Sequence, residues 1–72
     1  MQVRPGYQGL RADEFVEVRP GVVVVGVYWM DAGGARAEPA LFQVARTRDG
    51  RIVRLDDYRN RERALKAARQ AA

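Results

Sequence analysis

The sequence predicts an α+β fold, a curved antiparallel sheet of about four strands followed by a C-terminal helix, and three observations carry that prediction. Asp49-Gly50 separates two strand-like runs, a β-branched run extends from Val22 to Met30, and the periodicity becomes helical after Asn60. Asp-Gly in such a place favours a two-residue hairpin turn, because both central residues must take positive φ. The 72 residues make one domain at most, and without cysteine or histidine the chain has neither a disulfide staple nor a ready zinc or histidine-base site. Ordering a chain costs on the order of 1.5 kcal/mol per residue, so the apolar sheet surface has to be covered efficiently. Oligomerisation is therefore the default expectation.

In chain order, residues 1–12 contain Pro5, Gly6 and Gly9 and read as an irregular arm. The sheet is expected over 13–58. From Asp13 to Arg19 a short alternation places Glu14, Val16 and Val18 on one side, as in a charged edge strand. Pro20-Gly21 then reverses the chain. The run Val22 to Met30 lacks polar alternation, which marks a central strand covered on both faces, and Gly26 in its middle marks a bend or bulge. Asp31 to Ala35 is a turn whose glycine spacing does not match a phosphate-binding loop. A third strand begins near Arg36, is bulged at Pro39 and enters the Asp49-Gly50 hairpin. Residues 60–70 form the helix, with Asn60 as N-cap, Glu62 in the first turn and Ala64, Leu65 and Ala68 as a narrow apolar stripe.

A regular two-residue hairpin sets the register Arg48–Arg51, Arg46–Val53, Val44–Leu55 and Phe42–Asp57. Phe42, Val44, Val53 and Leu55 then share an apolar face with the Asp57 carboxylate at its edge. On that register Asp57 is a candidate general base or polar anchor, because burial against Phe42 and Leu55 would suit it to take a proton. A carboxylate that closes a strand end beside an arginine is the simpler account. Asp56 falls on the other face near Gln43 and Arg54, as a surface ion-pairing residue. Tyr28 and Trp29 point to opposite faces, and either ring can line a ligand cavity or pack in a core or interface.

The formal net charge is +4, carried by twelve arginines and one lysine. Residues 1–45 hold four basic and five acidic side chains, whereas residues 46–72 hold nine basic and four acidic. That asymmetry raises nucleic acid as a partner. Aspartates interrupt the arginines of the hairpin, and the aromatics lie on strands that read as buried, which argues against it. The Val22–Met30 run is too short to span a membrane and no secretory leader precedes it, so a cytoplasmic location is expected.

The stretch Phe42-x-Val44, then Arg48-Asp49-Gly50-Arg51-Ile52-Val53-Arg54-Leu55-x-Asp57-Tyr58, then Arg61-x-x-Ala64-Leu65, resembles the C-terminal half of a SnoaL-like domain of the nuclear transport factor 2-like superfamily. The resemblance covers about residues 12–70. It implies a cystatin-like α+β roll, a curved sheet around a cavity, and in many members a dimer. It also implies a truncated form, because most of the N-terminal helices that close the cavity are missing. Tyr7 to Ala12 is similar to a remnant of the segment leading into one of them. Arg54-Leu55-Asp56-Asp57-Tyr58 resembles the segment of limonene epoxide hydrolase-like members whose aspartate before the tyrosine helps activate water, which places that role on Asp57. The arginine and second aspartate that such enzymes carry on an earlier strand are absent at Val24-Val25-Gly26.

The resulting expectation is a small cofactor-free, metal-free ligand-binding or protein-interaction domain acting as a homodimer, with Tyr28, Trp29, Phe42, Val44 and Leu55 lining the site. The enzyme alternative is a cofactor-independent cyclase, isomerase or hydrolase on a small apolar substrate, using Asp57 as base or water-positioner.

Overall fold

The computed structural model describes residues 7–71. Four strands, β1 (Tyr7–Arg19), β2 (Val22–Asp31), β3 (Arg36–Arg48) and β4 (Arg51–Tyr58), precede one helix, α1 (Arg61–Gln70). They form one open antiparallel sheet in the order β1-β2-β3-β4. Each strand therefore pairs with its sequence neighbour, β1 and β4 are the edges, and the Val-rich β2 is interior in strand order as expected. Helix α1 covers only one of its faces, so the expected cover on both faces is not found among the described residues. The Asp49-Gly50 turn has φ of 53° and 76°, the two positive values expected of it.

Side chains alternate along β2 between two unlike environments. Val22, Val24, Gly26 and Met30 are buried, whereas Val23, Val25, Val27 and Trp29 are only half-buried. Of the first set, Val22 and Val24 pack in the cluster with α1. Val22, Val24, Phe42 and Val44 form one cluster with Ala64, Ala68 and Ala71, and Val16, Val18, Tyr28, Tyr58, Leu65 and Ala67 pack around it. Ala64 and Ala68 are both 0% exposed, so the predicted small-residue stripe lets the helix backbone sit close to the sheet. Asn60 starts the helix: its Oδ1 accepts from the Arg63 N–H at 3.2 Å. At the other end Arg19 Nη1 donates to the Ala71 carbonyl at 2.6 Å, tying the helix C-terminus to the edge strand.

Two features of strand pairing depart from the sequence expectation. Strand β1 begins at Tyr7 rather than Asp13, so residues 7–12 of the expected irregular arm are paired with β2; residues 1–6 of that arm lie outside the described residues. Gly9 at φ 145° and register shifts at Tyr7/Gly9 and Ala12/Glu14 let a segment without periodicity keep its ladder. The second departure is the β3–β4 register. Arg48 faces Arg51 as expected, but a shift between Arg46 and Thr47 leaves Val53 as an extra residue. Beyond it Arg46 faces Arg54, Ala45 faces Leu55, Val44 faces Asp56, Gln43 faces Asp57 and Phe42 faces Tyr58. One inserted residue exchanges the faces of every side chain from Arg54 onward.

Candidate functional site

The register shift divides the expected site between the two faces of the sheet. Tyr28, Phe42 and Val44 lie under the helix, where Phe42 and Val44 are each 3% exposed. Trp29, Leu55 and Asp57 belong to the opposite face, through the pairs Leu10–Trp29, Ala45–Leu55 and Gln43–Asp57. Asp57 does not lie beside Phe42. It is exposed and accepts a hydrogen bond from Gln43 Nε2 at 3.0 Å, so the apolar surroundings on which its role as base rested are absent. With Ala40, Leu41, Tyr58 and Arg59 it lines an open groove of about 630 Å³ at the end of β3 and β4. Asp56 moves to the helix side and pairs with Arg54 at 2.8 Å, so its ion-pairing role stands although its face is reversed.

On the helix-covered face, polar chemistry collects where the N-terminus of α1 meets β1. Gly26 pairs with Glu14 on one side and Phe42 on the other. Having no side chain, it leaves the space into which Tyr28 and Glu14 lean. The Tyr28 hydroxyl donates to Glu14 Oε1 at 3.0 Å, and its ring meets Phe42 edge-on at 5.9 Å. Arg61 donates to both Glu14 oxygens, with Nη2 at 2.8 Å from Oε2. Arg36 lies over the Tyr28 ring at 4.4 Å. It continues to Asp13, the bulged residue of β1, donating from Nε to Oδ2 at 2.7 Å and from Nη2 to the carbonyl at 2.6 Å. Arg11 completes the group with a 3.0 Å bond to Asp13 Oδ1.

Electrostatics follow from these contacts. The Arg61 hydrogen bond holds the Glu14 carboxyl below its ordinary range; partial burial opposes this and the Tyr28 hydroxyl reinforces it. Burial, with the bond to Glu14, pushes the Tyr28 phenol up. Arg36 holds Asp13 low. Both oxygens of Glu14 are engaged and Tyr28 stays neutral, so the cluster has no free base and acts as a clasp between helix and edge strand. Among the described residues no group of three or more Asp, Glu, His or Cys side chains converges as a metal site would.

A pH dependence results. Because the folded pKa of Glu14 lies below its ordinary value of 4.5, the clasp contributes its full stability above that value and loses it as pH falls through it and on through the folded pKa. Glu14→Gln is expected to lower the urea midpoint at pH 7 and to narrow the difference between pH 7 and pH 3. A variant with the wild-type acid limb would show that Glu14 does not supply it.

The sequence held a signal for Glu14, an acid on the inward side of an edge strand with Val16 and Val18. Its partner Arg61 is too distant in the chain for any local pattern to name. The other prominent surface is apolar. No described element covers the face that carries Phe15, Val23, Val25, Val27 and Leu55, and Phe15 is 67% and Leu55 49% exposed. No described helix is long and apolar enough to cross a membrane. The chain matches no family model, no curated protein and no solved structure.

Proposed function

We propose that this chain is a cofactor-free, SnoaL-like interaction domain that acts as a homodimer, with the open face of the sheet as its contact surface. The observation that carries the reading is the continuous apolar surface around Phe15, Val25 and Leu55 on a sheet whose helix occupies only the other side. Four strands about 4.8 Å apart and rows spanning about six residues give a sheet face of roughly 400 Å² in projection, within the range of surface patches that are often functional. Two such faces with their side chains approach the roughly 1,000 Å² that a specific interface requires. The radius of gyration of 13.2 Å exceeds the ~11 Å of a compact chain of this length, as a sheet covered on one face only should.

A second copy fits this face because one self-complementary patch supplies both halves of a two-fold contact. Gln43 Nε2 already donates to one oxygen of Asp57 within the face, which meets part of the polar cost of covering that edge. The groove lined by Leu41, Asp57 and Tyr58 adjoins the same surface, and a small apolar ligand would enter there, at the margin of the dimer.

Sedimentation equilibrium tests the reading. The wild-type chain is expected at twice its chain mass at micromolar concentration, and the double variant Phe15→Asp, Leu55→Asp at one chain mass. A wild-type monomer of undiminished stability, or a double variant that still pairs, would remove this surface from consideration.

A further inference from the structure

The Val53 bulge has an effect at the hairpin tip. Without it Val53 would face Arg46; with it Arg54 does, one row from the Arg48–Arg51 pair. Arg46, Arg48, Arg51 and Arg54 therefore share the helix-side surface of a two-stranded ribbon. Cross-strand neighbours lie about 5 Å apart and successive rows about 7 Å apart. Like charges directly opposite one another are destabilising. Arg54 has a carboxylate partner in Asp56, while Arg46, Arg48 and Arg51 have no ion pair among the described residues. The Pro20-Gly21 turn walls this surface on one side. Between them lies a groove of about 390 Å³, lined by Pro20, Gly21, Val22, Arg46, Thr47, Arg48, Val53 and Arg54.

We propose that this groove binds a small molecule bearing a diphosphate group. Three of the four arginines, Arg46, Arg48 and Arg54, line the groove, and Arg51 pairs across from Arg48. Guanidinium forks suit phosphoryl oxygens, and arginines in two successive rows suit two linked phosphoryl groups. The anion would relieve the facing like charges. A nucleic-acid backbone fits less well, because the tetrad spans only two rows and does not continue as the stripe that a phosphate chain requires.

Isothermal titration of the wild-type chain with inorganic pyrophosphate at 150 mM salt tests the proposal, with inorganic phosphate and a single-stranded oligonucleotide as the comparison ligands. Pyrophosphate is expected to bind at least about tenfold tighter than phosphate, and Arg46→Ala to weaken it about tenfold or more. Arg46→Lys keeps the charge but loses the fork, and is expected to recover only part of the affinity. Arg63→Ala, on the exposed side of the helix, serves as the control for net charge and is expected to bind as the wild type does. Absence of pyrophosphate binding, equal losses in the Arg46 and Arg63 variants, or affinity that grows with oligonucleotide length would each overturn the proposal.

Discussion

Truncating Phe42 to alanine is expected to cost about 3–5 kcal/mol of folding stability. A 72-residue domain has only about 4–11 kcal/mol in total, so the variant should sit at the edge of folding. Phe42 is 3% exposed at the centre of the only helix-to-sheet core among the described residues, with Tyr28 edge-on to its ring and Val24, Val44, Ala64 and Ala68 in the same cluster. Collapse into the vacated space is limited because two of those neighbours are helix alanines with nothing to extend. Leu55→Ala provides the contrast. Leu55 is 49% exposed on the other face, so an isolated chain should hardly register its loss. Urea titrations at two protein concentrations check both variants. Phe42→Ala should fall at either concentration, whereas a concentration-dependent loss in Leu55→Ala would report the second copy on the open face. A Phe42→Ala variant within about 1 kcal/mol of wild type would contradict the core described above.

Different physics separates what the sequence disclosed from what it did not. The Asp49-Gly50 turn, the interior position of the valine-rich strand and the Asn60 cap are local, and each follows from the conformational needs of a few adjacent residues. The open four-stranded sheet with its C-terminal helix was legible on those grounds. The candidate site was not, because it depended on register. Arg51-Ile52-Val53-Arg54-Leu55 has apolar side chains at both parities, so local patterning penalises a one-residue slip weakly. The core decides between the registers. With the bulge, Tyr58 lies beside Phe42 under the helix and the Asp57 carboxylate remains in water; without it, Asp57 would be carried onto the helix-covered face. The extension of β1 to Tyr7 was hidden for a related reason, since two bulges interrupt the alternation by which a strand is recognised.

Gly26→Ala is expected to cost about 1–3 kcal/mol, a large effect for a single methyl group. A Cβ at position 26 would lie 2.8 Å from Tyr28 Cε2, 2.9 Å from Glu14 Oε1 and 3.1 Å from Glu14 Cβ. Tyr28 and the Glu14 carboxylate can rotate away only by giving up the 3.0 Å bond between them, and for Glu14 the two-point contact with Arg61. Glu14 Cβ is fixed to the edge strand and moves only if β1 moves. Strain therefore passes from one glycine to the helix N-terminus through a carboxylate, and loosening of α1 at Arg61 should accompany the loss of stability. Hydrogen exchange separates this from an ordinary packing defect: amide protection in the first turn of α1 should fall more than protection at the Asp49-Gly50 hairpin, which the clasp does not touch. The double variant Gly26→Ala, Tyr28→Phe removes the hydroxyl that holds the ring over the glycine. Its total cost should be less than the sum of the two single costs, because the contact that the methyl group breaks is already gone. Strict additivity would mean that Tyr28 and Gly26 are independent, and the account of Gly26 as the floor of the clasp would fail.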